Sequence, residues 1–194
     1  MEIGMGGMKI VTMKEAELEL GRLEFDVRSS IDKILRYVDP KDALGLSYVS
    51  VAYLPRRTEP EQTLGCYFEK KGNRQAYIEI YVRNLLAHLK SSESLASMLP
   101  IQELGLARTI YHEIGHHVRR IRTHKIARSD DEQFARRYGK ELHNKFIQDN
   151  AASINDCFDS LESMAKEKGL DRAIIANMKG GWERNYRESG RRVP

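Results

Sequence analysis

Between residues 13 and 38, apolar side chains recur three and four positions apart, at Leu20, Leu23, Val27, Ile31, Ile34, Leu35 and Val38. This is the repeat of one face of a helix, so the pattern predicts an amphipathic helix that Asp39-Pro40 stops, because a residue before proline avoids helical torsions. The period then shortens. Residues 46–54, rich in Tyr and Val, read as a strand, residues 63–69 as a second and residues 75–83 as a third. Lys71-Gly72-Asn73 is a turn signal, so the last two strands are expected to form a hairpin. After a Ser-rich segment, Pro100 is placed to open a helix that runs to about residue 122, with Leu104, Ala107, Ile110, Tyr111, Ile114, Val118 and Ile121 as its buried stripe. Ser129-Asp130-Asp131-Glu132 starts another helix, residues 152–168 form a further one, and Gly169 with Gly180-Gly181 loosens the end. Helix, then three strands, then helices is an α+β order.

The 194 residues fit one domain, divided here into a helix and sheet (residues 1–95), a pair of central helices (96–148) and a C-terminal helical appendage with a basic tail (149–194). Hydrophobic residues at 41% and charged residues at 31% make a globular balance and exclude a disordered chain. The N-terminus lacks the basic start and apolar run of a secretory signal, and no stretch approaches the roughly 18 apolar residues of a membrane helix. These features lead to the expectation of a cytoplasmic protein with no membrane partner. Cys66 and Cys157 stand far apart without a CxxC spacing and read as small core residues. The net charge of +4 equals the excess from Lys166 onward, eight basic against four acidic residues. That tail could meet an anionic partner, although a solvated helical face has the same composition.

Chemistry concentrates at His112-Glu113-Ile114-Gly115-His116. On a helix, positions four apart share a face and lie about 6 Å apart along the axis, so the two imidazoles can hold one ion. Neutral imidazole is a good zinc ligand, and a catalytic zinc site takes three protein ligands and leaves one position open. Glu113 would sit beside that open position, where its carboxylate can accept a proton from water. The bare pentapeptide is weakly specific; its place in a periodic helix, with the small Gly115 at the site, strengthens it. The third ligand decides the class. His124 is eight residues beyond His116, about 12 Å along a continuous helix, too far to share the ion. Zincins whose third His follows a Gly need Gly and His where this chain has Arg119 and Arg122, and are excluded. Glu132 is the better candidate, with Asp131 and Asp130 as alternatives. Against Glu132, Ser129-x-x-Glu132 also fits a capping box, in which the Glu would serve the helix end.

At these residues the chain resembles the gluzincin clan of zinc peptidases, and most closely the short prokaryotic zincin-like domains. In that clan the helix carrying HEIGH is followed by a second helix whose Glu is the third ligand, with a small residue three positions on; Glu132 and Ala135 match. The resemblance spans residues 75–141. It implies a zincin-like fold, a zinc cofactor, and hydrolysis of a peptide or protein substrate by Glu113 with metal held by His112, His116 and Glu132. It also implies an edge strand for an extended substrate, assigned to Tyr77, Ile78, Glu79, Ile80 and Tyr81. Gluzincins use a Tyr or His outside the motif to steady the oxyanion, and Tyr138 and His143 are the candidates. His117 points about 100° away from His116 and is expected to pack or to meet a carboxylate behind the ligands.

Arg119, Arg120, Arg122, Lys125 and Arg128 follow the motif without an intervening acid. Cations there complement a helix C-terminus. No zinc-finger spacing, phosphate loop or aromatic-basic interleaving supports a nucleic-acid module. Two other functions fit the same residues: a non-catalytic binding or regulatory protein that keeps the fold, and a latent peptidase covered by its own C-terminal segment.

Overall fold

The apolar stripes of the chain are buried between one sheet and a set of helices in the computed structural model, which describes residues 8–56, 60–86, 92–123, 128–168, 172–188 and 190. The order is β1 (Lys9–Thr12), α1 (Lys14–Arg22), α2 (Val27–Leu35), β2 (Leu46–Ala52), β3 (Gly65–Phe68), β4 (Ala76–Tyr81), α3 (Val82–Leu85), α4 (Ser92–Arg122), α5 (Arg128–Lys168) and α6 (Arg172–Glu188). The α+β class is therefore as the sequence pattern predicts. Among the described residues no helix is long and apolar enough to cross a membrane.

The four strands lie in the order β1-β2-β4-β3. β1 and β2 are parallel, β2 and β4 are parallel, and β3 alone runs antiparallel to its neighbour β4. The turn at Gly72 has φ +59, and Lys71 pairs with Arg74 to close the expected hairpin. A strand beyond the three read from the pattern, β1, precedes the helices; four residues are too few to show a period. One strand expectation is corrected. β4, which holds Tyr77, Ile78, Glu79, Ile80 and Tyr81, is an interior strand, flanked by β2 and β3 and buried throughout. The open edge beside the helices belongs to β3.

Glu79, assigned with its neighbours to a substrate edge, lies inside the fold. It is 2% exposed. Arg56 donates to both of its oxygens at 2.9 and 3.0 Å and to the Tyr77 hydroxyl at 2.7 Å, while the Tyr81 hydroxyl donates to Glu79 Oε1 at 3.1 Å. A buried carboxylate survives only with such partners. Tyr48, Tyr77 and Phe68 stack beside it on that face of the sheet, with Arg56 over the Phe68 ring.

The long initial helix is two. Glu24 takes a left-handed φ of 54, and Asp26 caps α2 by accepting from the Ser29 N–H at 3.1 Å. Two breaks expected later are absent. α4 begins at Ser92 and carries Pro100 in its interior; packing of Met98, Leu99 and Ile101 against the cores offsets the hydrogen bond that proline lacks. α5 runs unbroken through 41 residues. Its stripe changes partner, not conformation: Leu142 and Phe146 belong to the core shared by sheet, α2 and α4, whereas Ile147, Ile154 and Phe158 join Trp182 and Tyr186 of α6 in a second core.

α4 and α5 pack closely. A Cβ placed on Gly115 would lie 2.7 Å from Ala135 Cα and 2.9 Å from its carbonyl oxygen; one on Gly139 would lie 3.1 Å from the His112 nitrogen. The first contact is backbone, which cannot step aside as a side chain can. Gly115→Val is expected to cost about 2–3 kcal/mol by forcing the helices apart, read as a lower urea midpoint at unchanged slope. Gly21→Ala, where nothing lies within 4 Å, should leave stability level or raise it by up to about 1 kcal/mol. Equal effects of the two substitutions would refute the close packing.

Candidate metal centre

His112 and His116 project from one face of α4, one turn apart, and their Nε2 atoms meet at 3.2 Å. The close contact at Gly115 brings the first turn of α5 over them. Glu132 Oε2 lies 3.7 Å from His112 Nε2, and Glu132 Oε1 lies 3.5 Å from His116 Nε2. One ligand atom from each residue falls within a 4.8 Å span. An ion with bonds of 2.0–2.1 Å in a tetrahedral arrangement needs its ligand atoms about 3.3 Å apart. The donor set of two imidazoles and a carboxylate, at these separations, fits such an ion. Burial, and next the neighbouring His116, holds the His112 pKa below its ordinary value, which keeps its lone pair available.

The alternatives for the third position separate cleanly. Asp131 is buried and takes the other side of His116, its Oδ2 3.2 Å from Nδ1. A carboxylate there fixes the ring's tautomer and orientation so that Nε2 faces His112 and Glu132. Arg120 Nη2 stands 3.6 Å from the same oxygen. Asp130 is exposed, in contact with the Ser129 hydroxyl at 3.4 Å. The capping box does not form with Glu132: α5 begins at Arg128, and the Glu132 carboxylate faces the histidines. His124 lies outside the described residues.

Glu113 is 8% exposed, and its Oε2 accepts the Tyr67 backbone N–H at 2.8 Å. The Leu64 carbonyl accepts from the Tyr81 N–H at 2.9 Å, so by the alternation of an antiparallel ladder Gly65 and Tyr67 direct their backbone groups to the open edge of β3. One turn on, His117 Nδ1 lies 3.2 Å from the Tyr67 hydroxyl and its Nε2 donates to the Leu44 carbonyl at 3.0 Å. Burial lowers the His117 pKa and pushes that of Tyr67 up to about 12. The neutral ring thus accepts from the phenol. Successive turns of α4 grip Tyr67 by its backbone and by its hydroxyl, which sets β3 beside His112 and His116.

Two clefts meet at His112, Glu113 and Glu132. One, of about 590 Å³, follows β3 past Cys66 and Phe68 to Lys71 and Arg74. The other, of about 890 Å³, starts at Leu64 and Gly65 and runs between α4 and α5 to Asn185 and Glu188 of α6. His143 lines the second cleft, with Nε2 3.1 Å from the Leu104 carbonyl. It is eleven residues past Glu132 on a continuous helix, roughly 16 Å along the axis, so it is not beside the ligands. Tyr138 is committed elsewhere: its hydroxyl donates to Asp42 Oδ2 at 2.9 Å, where Arg122 also donates to Oδ1 at 2.6 Å. Neither residue takes the oxyanion position considered for it. The interior strand β4 likewise cannot offer the substrate edge expected of Tyr77 to Tyr81.

The basic run after the motif is mostly bound within the fold. Arg119 donates to the Thr123 hydroxyl at 3.3 Å and lies over the Phe134 ring, Arg120 reaches Glu69 and Asp131, and Arg122 holds Asp42. Lys125 and the Arg128 side chain lie outside the described residues. Sequence reasoning passed over Arg108 and Arg136, although each stands four residues from a ligand on that ligand's own face.

His143 supplies a pH test. Burial pushes its pKa down to about 4 from the ordinary 6.5. Between those values the unfolded chain binds a proton that the folded chain refuses, so stability is full above 6.5 and is lost as the pH falls toward 4. The loss reaches roughly 3 kcal/mol for this group. Urea titrations at pH 7 and pH 4.5 should show a smaller drop for His143→Gln than for the parent; an identical drop would exclude His143 as a source. Comparison of the chain with family models, with curated proteins and with solved structures finds no match, so the centre is read from its own geometry.

Proposed function

We propose that this protein is a zinc-dependent hydrolase of peptide bonds, with His112, His116 and Glu132 as the metal ligands and Glu113 as the proton-transferring carboxylate. The observation that carries the reading is the convergence of His112 Nε2, His116 Nε2 and a Glu132 oxygen within 4.8 Å, with the Glu113 carboxylate at the junction of two clefts. The two-imidazole, one-carboxylate set suits zinc over the harder cations, which prefer oxygen alone. Bound there, zinc supplies Lewis acidity, acidifying water and polarising a carbonyl.

The chain's own groups do the rest. Glu113 takes a proton from the attacking water at one carboxylate oxygen and returns it to the departing amine nitrogen, so no net charge is left on the enzyme. Asp131 holds His116 in the tautomer that ligates. The open edge of β3, at the backbone groups of Gly65 beside the Tyr67 N–H that Glu113 holds, gives an extended peptide a backbone to pair with, as strand addition does elsewhere. That role passes from the interior β4 to β3. A zincin-like fold and a cytoplasmic setting, in which thiols such as Cys66 and Cys157 stay reduced, belong to the same proposal. The end of α6 reaches one cleft through Asn185 and Glu188, and it leaves the junction with β3 open.

Glu113→Gln should lower hydrolysis of a mixed peptide library by about 10²–10⁴-fold while zinc, measured by metal analysis, stays near one per chain. Unchanged turnover would sink the mechanism. Glu132→Ala and His112→Ala should lose the metal, and a strong chelator should stop the parent enzyme until zinc is restored. Stoichiometric zinc with no cleavage of any peptide would instead favour a binding protein.

A further inference from the structure

The larger cleft has a charge pattern that the proposed chemistry leaves unused. α4 and α5 cross with Gly115 on Ala135 and the His112 backbone near Gly139, so they run antiparallel past the site. Arg108 stands one turn before His112 on α4, and Arg136 one turn after Glu132 on α5. Positions four apart share a face. The two faces that carry the ligands therefore carry, about 6 Å farther along, two guanidinium groups that line the same cleft. Lys140, another turn on, lines it too.

The acids near these cations are few. Arg136 Nε lies 3.9 Å from Glu132, whose charge the metal takes up, and Lys140 holds Glu188 at 3.0 Å. Arg108 is exposed and makes no ion pair among the described residues. His143, also on this wall, is neutral and donates to the Leu104 carbonyl. Glu113 also lines this cleft, at its ligand end; with Glu132 and Glu113 engaged at the metal end and Glu188 on Lys140, the guanidinium groups of Arg108 and Arg136 are left as the cationic forks, which bind a carboxylate through two parallel hydrogen bonds.

We propose that this end of the cleft is an anion-recognising subsite, in which Arg108 and Arg136, backed by Lys140, bind a carboxylate of the peptide substrate within about two residues of the bond cleaved. The spacing follows from the chain: an extended peptide spans about 3.3–3.6 Å per residue, so 6 Å is nearly two. The carboxylate is an acidic side chain or a free terminal carboxylate, since both present the same fork partner. The substrate class rests on the peptidase reading; the charge preference of the wall does not.

The test uses the zinc-loaded full chain carrying Glu113→Gln, which binds without cleaving, and fluorescein-labelled hexapeptides read by anisotropy. The peptides differ in one Glu or Gln at each position in turn, and each is made with a free and an amidated C-terminus. The anionic member should bind about tenfold tighter at low salt. Adding Arg108→Glu should reverse the order, so that a Lys peptide binds better than its Glu counterpart, and Arg108→Gln should remove most of the preference without reversing it. Loss on Glu-to-Gln exchange identifies a side-chain carboxylate; loss on amidation identifies the terminus. Equal affinity across every pair, or a preference unmoved by Arg108→Glu, overturns the inference. Parent enzyme that cleaves peptides without regard to charge also overturns it and leaves the hydrolase standing, whereas charge-selective binding without cleavage by the parent does the reverse.

Discussion

Everything at the centre depends on one backbone contact, between Gly115 of α4 and Ala135 of α5. Helices usually pack with axes 8–10 Å apart, the distance set by the side chains between them. Here there is almost none: a Cβ at 115 would fall 2.7 Å from the opposing Cα. Closeness is what lets a side chain as short as Glu reach across to two imidazoles on the neighbouring helix. Were the axes moved apart by the thickness of a leucine, Glu132 would fall short of both His112 and His116. Gly139 repeats the device one turn along, against the His112 backbone, so the approach holds over the length of the site.

A second constraint keeps the sheet in register with that helix pair. β3 is a four-residue edge strand, with one ladder partner and little of its own to hold it. α4 supplies the missing hold from two successive turns, through Glu113 on the Tyr67 N–H and His117 against the Tyr67 hydroxyl. Glu113 thereby has two duties. Its carboxylate stands where the two clefts meet, beside His112 and Glu132, and it fixes β3 through the Tyr67 N–H. The Tyr67–His117 contact is a second hold on the strand, independent of the one through Glu113. Gly65 lets the same strand lie close to α4, since a Cβ there would fall 2.7 Å from the Thr109 methyl and 3.0 Å from Ile80.

Much of this was legible, and what was not has definite causes. His112, Glu113, His116 and the small partners Gly115 and Ala135 can be read directly, because helical spacing converts sequence separation into shared faces. The hairpin of β3 and β4 is announced by Gly72. The sheet order is not, because β1 pairs with β2 across two helices and its four residues carry no period. The interior place of β4 could not be read from Glu79 either, since the Arg56 that neutralises it lies 23 residues upstream, at a spacing that signals nothing. Asp131 illustrates the limit of local reading most clearly. Glu132 is preferred to its neighbour Asp131 on paper, but the 100° between adjacent helical positions is what sends one carboxylate toward the Nε2 atoms of the histidines and the other behind His116, and only the crossing of α4 and α5 decides which.

The long α5 links these local facts. An isolated helix of such length would fray and bend in water, where most helical stability comes from packing of one face. α5 changes partners midway instead, from Phe146 against α2 and α4 to Ile147, Ile154 and Phe158 against α6. Trp182 closes the far core and donates to Asn155 at 2.9 Å, 23 residues and roughly 35 Å of helix from Glu132. Two anchors at that distance leave the helix little freedom to rotate about its axis. Rotation by a single residue position would carry Glu132 off the histidines and, because Arg136 and Lys140 share its face, would swing the cationic row out of the cleft with it. The ligand and the charges beside it are set by one helical phase, and the two hydrophobic cores fix that phase from either side.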